Sequence, residues 1–357
     1  MKILYGVQAT GNGHITRARA MNKALKDRHL DVDFLFSGRA RADLFDMDEF
    51  GNFKCHQGLT FTTSSGSIMP YASFKNNNLM QLYRDIRALD LDDYDLILTD
   101  FEPICAWAGR AKNKKTIGIG HQYAFRHDIP KVGNSLLARL FMQYFAPAQI
   151  ELGLHWHHFD QLILPPIAQT HSVALKTLPN KIIVYLGFES PEDIIDLIAP
   201  FKCHNFYVYG NFTQQFTKKT SYLTHIKLCP LSRESFKADL ASSNGVISNA
   251  GFELSSEAIH LGKKILVKPL AGQMEQGSNA KALEQLDLGL SMQNLNQAIL
   301  RSWLSHFESK RIVYPDVAAA IVAWIIDGDT SCAEKSVQSL SCSLWDQVKS
   351  AANKNVV

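Results

Sequence analysis

The sequence predicts an α/β protein made of two doubly wound parallel-sheet domains. Three observations carry that expectation. Short apolar runs alternate with runs of helical spacing from the first residues onward. A glycine-rich turn, Gly11-Asn12-Gly13-His14, sits between the first strand and the first helix. The alternation then starts afresh after Pro165-Pro166, and 357 residues are too many for one ordinary core but enough for two.

In chain order, residues 3–7 read as a strand and residues 15–25 as the helix that follows it. Residues 32–36 and 96–99 read as strands, the second ending just before Asp100. A helix is expected over residues 104–112 and a strand over 117–120, ending at His121. Strands separated by helices pair in parallel through right-handed crossovers. Residues 58–73, rich in Ser, Thr and Gly, read as a loop or hairpin and a candidate for ligand contact. Residues 134–146 (NSLLARLFMQYFA) read as a strongly apolar helix. It faces either the core or a membrane surface, with Arg126, His127, Lys131 and Arg139 nearby.

The second series opens with a strand over residues 181–186. Ser190-Pro191 then has the chemistry of an N-cap followed by proline at the first helical position, opening a helix over 192–198. Strands over residues 206–209, 245–248 and 264–267 continue the series, and residues 317–326 form a further helix. The boundary falls near residues 160–180, giving domains of 1–165 and 166–357.

Composition narrows the class. Hydrophobic residues make up 46% and charged residues 20%, a globular rather than disordered balance. With 37 basic against 34 acidic side chains, the net charge of +3 does not single out nucleic acid as a partner. No apolar run is long enough to span a membrane, and the N-terminal run breaks at Gln8 without a cleavage site. The six cysteines are scattered and lack a CxxC pair, which fits a reducing compartment, so a cytoplasmic location is expected. In an extended strand His155 and His157 would share a face and, with Asp160, invite a metal reading, but no further ligand spacing supports one; a half-buried strand is expected there and no metal.

The glycine turn is where α/β proteins bind ligands. Gly11 and Gly13 permit close backbone approach, and the following helix offers its N-terminal amides to negative charge. Thr16-Arg17 stands where a dinucleotide fingerprint has its third glycine, so a nicotinamide dehydrogenase fits poorly. His14 has the chemistry of a general base, taking the proton of a hydroxyl as that oxygen attacks carbon. Asp100, at the end of a later parallel strand on the same sheet edge, is the candidate to orient it; a plain strand-end or N-cap role is the alternative. His121, ending the next strand, is a weaker candidate beside them.

The most specific stretch runs from Gly245 to Gly289. A strand ends at Ser248-Asn249, Ala250-Gly251-Phe252 turns into a helix carrying Glu257, and a second strand leads to Pro269 and a loop holding Glu275-Gln276. A further helix is expected near Asn279-Ala280. This order resembles the donor half of GT-B glycosyltransferases, whose two Rossmann-like domains face a cleft. That group includes the family 28 and UDP-glycosyltransferase types and the transferase that adds N-acetylglucosamine to the lipid-linked peptidoglycan precursor. The opening also resembles a microbial group sharing YGVxxxGxGHxxRA. The likeness spans nearly the whole length, with its strong motifs in about a fifth of it.

The resemblance implies a transferase of a hexose-type sugar, with a nucleotide sugar, commonly a UDP-sugar, as co-substrate and no other cofactor. The acceptor would be a glycan, a lipid-linked molecule or a small molecule. Gly251 and Phe252 amides would hold the diphosphate, Glu257 the ribose, and Glu275 and Gln276 the sugar. Leu231 and Ser232 would lie at the base, His14 would be the catalytic histidine and Asp100 its partner, and the C-terminal tail would pack back on the first domain. Two departures stand out. Asn249 replaces a common histidine, and Glu253-Leu254 replaces an Asn-Ser pair, placing an acid where it would repel diphosphate unless it points away. A sugar-nucleotide hydrolase with the GxGHxxR motif of residues 11–17, an epimerase, or a catalytically silent sugar-nucleotide sensor remain open alternatives.

Overall fold

The computed structural model describes residues 1–60, 63–64, 67–68, 77–133, 135–168, 176–327 and 333–354. The first sheet takes β1 (Lys2–Gln8), β2 (Asp31–Ser37) and β3 (Lys54–His56), with helix α1 (Asn12–Asp27) between the first two. Next come a two-residue-per-strand antiparallel hairpin, β4 (Thr63–Ser64) and β5 (Ser67–Ile68), and helix α2 (Leu79–Ala88). Then follow β6 (Leu96–Asp100), α3 (Pro103–Ala111), β7 (Thr116–Gly120), α4 (His121–Ala124), α5 (Leu136–Tyr144), β8 (Ile150–Leu154) and β9 (Ile163–Leu164). The strand order is β3-β2-β1-β6-β7-β8-β9, and every pairing in this sheet is parallel. The chain winds outward from β1 to β3, then returns to lay β6 on the other side of β1. That reversal is the point where such sheets open a crevice at their carboxyl edge. In register, Val7 lies opposite Asp100.

The second sheet is built from β10 (Lys181–Tyr185), α6 (Pro191–Ile198), β11 (Asn205–Tyr209), α7 (Gln214–Thr220), β12 (Ile226–Cys229), α8 (Arg233–Ser242) and β13 (Gly245–Ser248). It continues through α9 (Phe252–His260), β14 (Lys264–Val267), α10 (Met274–Gln285), β15 (Leu290–Ser291) and α11 (Gln297–His306). Its order is β12-β11-β10-β13-β14-β15, again all parallel. The winding reverses between β10 and β13, so the Ala250-Gly251 turn sits at this domain's own crevice. Ser190 caps α6 by accepting from Asp193 N, with Pro191 at the first position, as its sequence predicts. Helices α12 (Val317–Asp327) and α13 (Ala333–Lys354) finish the chain.

Both strand sets are buried on two faces, which is why they read as continuous Ile, Leu and Val runs rather than as alternating patterns. The apolar cluster of the first domain runs without a break into the second through Trp156, Phe252, Ala258 and Val322. Helix α1 packs on α9 and α12. Trp156 is fully buried, stacks on Phe252 at 5.1 Å between ring centroids and donates to Ser256 Oγ at 2.8 Å. Burying a large aromatic side chain is worth about 2–3 kcal/mol, so this pair alone is a substantial interdomain clamp. Helix α13 returns to the first sheet, where Ser341 Oγ and Trp345 Nε1 both donate to Ile163 O.

Several local expectations are corrected. Asp100 is the last residue of β6 rather than a residue beyond it, and the N-cap of α3 is Glu102. Helix α10 begins at Met274, so Glu275 and Gln276 lie in its first turn and not in a loop. The strand β8 ends at Leu154, leaving the histidine run outside it. There His155 Nδ1 accepts from Trp156 N, His157 Nδ1 from Phe159 N and His158 Nδ1 from Asp160 N. Those ring nitrogens hold a tight turn in which Phe159 and Asp160 have positive φ. Among the described residues no group of three or more His, Cys, Asp or Glu could hold a metal. Most of the 58–73 stretch lies outside the described residues.

Candidate active site

The site grows from the ends of β1 and β6. The turn after β1 carries the chain into α1, whose cap is Gly11 in extended conformation. His14 therefore lies in the first turn of α1, beside the end of β6. Asp100 is fixed from its own side by the next turn. Thr99 Oγ1 accepts from Glu102 N and donates to Glu102 O, Phe101 takes positive φ, and the Glu102 carboxylate accepts from Ile104 N, Cys105 N and Ser37 Oγ.

His14 Nδ1 lies 2.7 Å from Asp100 Oδ1. An ionised carboxylate can only accept, so Nδ1 carries the proton and Nε2 is left as the basic nitrogen. Arg17, one turn along α1, donates from Nε to Asp100 Oδ2 at 2.7 Å and from Nη2 to Oδ1 at 2.5 Å. Asp100 is fully buried, and burial alone would raise its pKa. Arg17 and His14 outweigh that and hold it below the usual carboxylate range. Burial likewise opposes a charged His14, but the charge and hydrogen bond of Asp100 prevail and raise its pKa above the ordinary histidine value. The result is a dyad whose carboxylate is favoured in its ionised form and whose histidine is strengthened as a base.

The third contact of Arg17 crosses between domains, from Nη1 to Glu253 Oε1 in the first turn of α9. The acid that replaces Asn-Ser is thus turned onto the arginine of the GxGHxxR motif and neutralised there. Gly13 makes room for it: a Cβ at that position would overlap Glu253 Oε2. Gly11, by contrast, faces open space.

On the donor-half side, Gly251 caps α9 without a side-chain partner, and its N–H donates to Asn249 O. The amides of Phe252, Glu253 and Leu254 are the orphans of that helix start. Phe252 is buried against His121, with centroids 3.9 Å apart and planes nearly parallel. Glu257 is buried, and desolvation pushes its carboxyl up to about 7 despite the nearby Lys237 and Arg233. Ser232 caps α8 by accepting from Ser235 N, beside an exposed Leu231. Glu275 Oε2 accepts from Gln122 Nε2 of the first domain at 3.1 Å.

Asn249, Gln276 and His121, all expected at the site, each make hydrogen bonds within the protein. Asn249 Nδ2 donates to Lys268 O, and Gln276 Oε1 accepts from Leu270 N. His121 is fully buried at the seam between domains, with Nδ1 near Leu154 O and Nε2 2.6 Å from Asn279 Oδ1, and burial lowers its pKa. It does not line an open cleft. Gln122, next in the chain, was not marked by the sequence. It is 4% exposed, reaches Glu275 and leaves its Oε1 buried without a partner among the described residues. Its one signal is position, directly after a strand end on the edge that carries Asp100.

Two parallel-sheet domains joined at their carboxyl edges, with a His–Asp dyad on one side and a free helix start on the other, define a GT-B glycosyltransferase. The sequence matches the model of glycosyl transferase family 1 over residues 1–308, and the chain belongs to that family. No curated protein sequence matches it significantly. Solved structures share its fold at low identity. MurG of Acinetobacter baumannii superposes with a TM-score of 0.59 at 14% identity, covering 92% of this chain and 100% of that one. LpCGTa in complex with UDP gives 0.57 at 12%, covering 96% and 98%. The glycotransferase of kitacinnamycin gives 0.56 at 14%, covering 97% and 95%.

Proposed function

We propose that this glycosyltransferase moves a hexose-type sugar from a nucleotide-sugar donor, a UDP-sugar, to an acceptor hydroxyl, with His14 as general base. The observation that carries the reading is the His14–Asp100 pair, 2.7 Å apart, with Nε2 as its basic nitrogen. The acceptor enters domain 1–165 and the donor domain 166–357. Phe252 and neighbouring amides at the start of α9 receive the diphosphate, whose departing charge the helix end stabilises. Glu257 takes the ribose hydroxyls, Leu231 and Ser232 border the base, and Glu275, held by Gln122, meets the sugar. His14 Nε2 removes the acceptor proton as its oxygen attacks the anomeric carbon from the side opposite the diphosphate, inverting that centre. The UDP-bound relative of the same fold supports the choice of donor.

The reading includes a peripheral membrane contact and a lipid-linked acceptor. Leu136, Leu140 and Tyr144 on α5 are exposed, as are Leu79, Met80 and Tyr83 on α2, and both helices flank α3, where Trp107 Nε1 donates to Tyr144 O. No helix among the described residues is long and apolar enough to cross a membrane.

The test is incubation with a panel of sugar nucleotides, with and without cell lipid and glycan extract, following released nucleotide and sugar. Acceptor-dependent release is the expected result. Acceptor-independent release would make the protein a hydrolase, interconverted sugar an epimerase, and binding without turnover a sensor.

A further inference from the structure

A cavity of about 810 Å³ opens in the first domain beside the GxGH loop, at the carboxyl ends of β1 to β3. Thr10, Arg39, Arg41, Asp43, Phe53 and His56 are among the residues that line it. Its size suits a drug- or sugar-sized ligand. It is separate from the α9 helix start that receives the donor.

Its charge pattern is unusual within this protein. Four arginines of the chain are not exposed: Arg17, Arg19, Arg39 and Arg233. Arg17 pairs with Asp100 and Glu253, while Arg19 and Arg233 both pair with Glu49. Arg39 has no carboxylate partner among the described residues. Its guanidinium is instead fixed by two neutral oxygens, Nη1 donating to Asn12 Oδ1 and Nη2 to Thr10 O, each at 3.0 Å. It is half-buried, and desolvation lowers its pKa, opposed only by the longer-range charges of Tyr185 and Asp43, so the charge is incompletely compensated. Arg41 stands on the same cavity with its guanidinium 4.1 Å from the Phe53 ring centroid, Nη2 donating to Phe53 O at 2.6 Å. Arg41, unlike Arg39, is exposed to solvent, and it lacks a carboxylate partner among the described residues.

The acids nearby do not cancel these charges. Asp43 lines the cavity but is exposed and lies in no ion pair with either arginine. Asp85 is engaged by His56 at 3.3 Å and by Gln81 Nε2. A guanidinium has five N–H donors in a planar fork. Arg39 has spent two and Arg41 one, so each retains donors suited to a two-oxygen anion. Neutral sugars need no such pair of cations on one cavity, whereas a phosphate or carboxylate is matched by it.

We propose that this cavity is an oxyanion subsite of the acceptor, in which Arg39 and Arg41 hold a phosphate or carboxylate while the acceptor hydroxyl reaches His14. The assignment rests on the transferase reading above and sharpens it from an unspecified acceptor to an anionic one. Placement supports the division of labour. Arg39 is bonded to Asn12, two residues before His14, which puts the anion's grip at the same end of α1 as the base.

The test is calorimetric titration of the full chain without donor, at low ionic strength, with glucose, glucose 6-phosphate and glucuronate. Vesicles of phosphatidylglycerol, with phosphatidylcholine as control, report a lipid headgroup as the anion's source. At least one anionic probe should bind ten times more tightly than its neutral counterpart. That advantage should fall tenfold or more in Arg39→Gln and Arg41→Gln, and in 0.5 M salt through screening. Arg39→Lys, which keeps charge but not the fork, should retain part of it and guards against simple loss of the loop. Anionic probes that bind no better than neutral ones would overturn the proposal, as would glutamine variants that bind them like the wild type. UDP is titrated into the same preparations. Unchanged UDP affinity shows that the variants are folded, and wild-type protein that binds the anion but not UDP would defeat the transferase reading while leaving the subsite standing.

Discussion

Replacing Glu257 with glutamine should stabilise the free protein at neutral and alkaline pH. The carboxyl is buried in α9 and pushed up to about 7 against an ordinary value of 4.5. The folded state therefore holds this proton more tightly than the unfolded chain. Its favourable contribution is complete below about pH 4.5, declines as pH rises, and is exhausted a little above 7. At 1.36 kcal/mol per pH unit, the shift corresponds to about 3 kcal/mol. Glutamine, of nearly the same shape and uncharged throughout, removes that slope. Urea denaturation of wild type and Glu257→Gln from pH 4.5 to 8.5 should show curves that coincide at the acid end and separate by about 3 kcal/mol at the alkaline end. On the proposed reading the variant should also bind UDP more weakly, because the ionised carboxylate is the stronger acceptor for ribose hydroxyls. Stability that runs parallel for the two proteins across this range would refute the argument. It would mean that Lys237 and Arg233 already compensate the buried charge.

Other consequences follow from the same geometry. Asp100→Asn removes the charge that raises His14, so turnover should fall about 100- to 1,000-fold while the acid limb of its pH profile moves to lower pH. A rate–pH profile checks both, and a limb that stays in place would separate His14 from Asp100. Gly13→Ala should force Glu253 off Arg17, and its effect should be far smaller once Glu253→Ser has emptied that space. A double-mutant cycle read by denaturation should give a coupling of at least about 1 kcal/mol, and additive effects would contradict the contact.

Much of the frame was legible in the sequence because it depends on local rules. Buried parallel strands read as apolar runs, Ser190-Pro191 announced its helix, and the glycine turns marked both sheet reversals. His14 and Asp100 could be paired because parallel strand ends share one edge. What depends on the approach of the domains was not readable. Glu253 looked like an acid placed to repel phosphate, since nothing local says that Arg17 waits 236 positions earlier in the chain. His121 shared the edge with Asp100 but is sealed beneath Phe252, a burial created only when α9 docks. Gln276 was read in a loop because no capping side chain marks the start of α10, whose N-cap Gln273 makes no side-chain cap bond. Gln122 carries no motif, and its partner Glu275 lies in the other domain.

As the base of a sugar-transfer reaction whose donor is held elsewhere, His14 should be needed for turnover but not for donor binding. The most direct measurement is turnover and UDP affinity in parallel for wild type and His14→Ala, using the donor and extract that give acceptor-dependent release. Turnover should fall at least about 100-fold while the UDP dissociation constant changes less than about twofold. Turnover retained in His14→Ala would contradict that role.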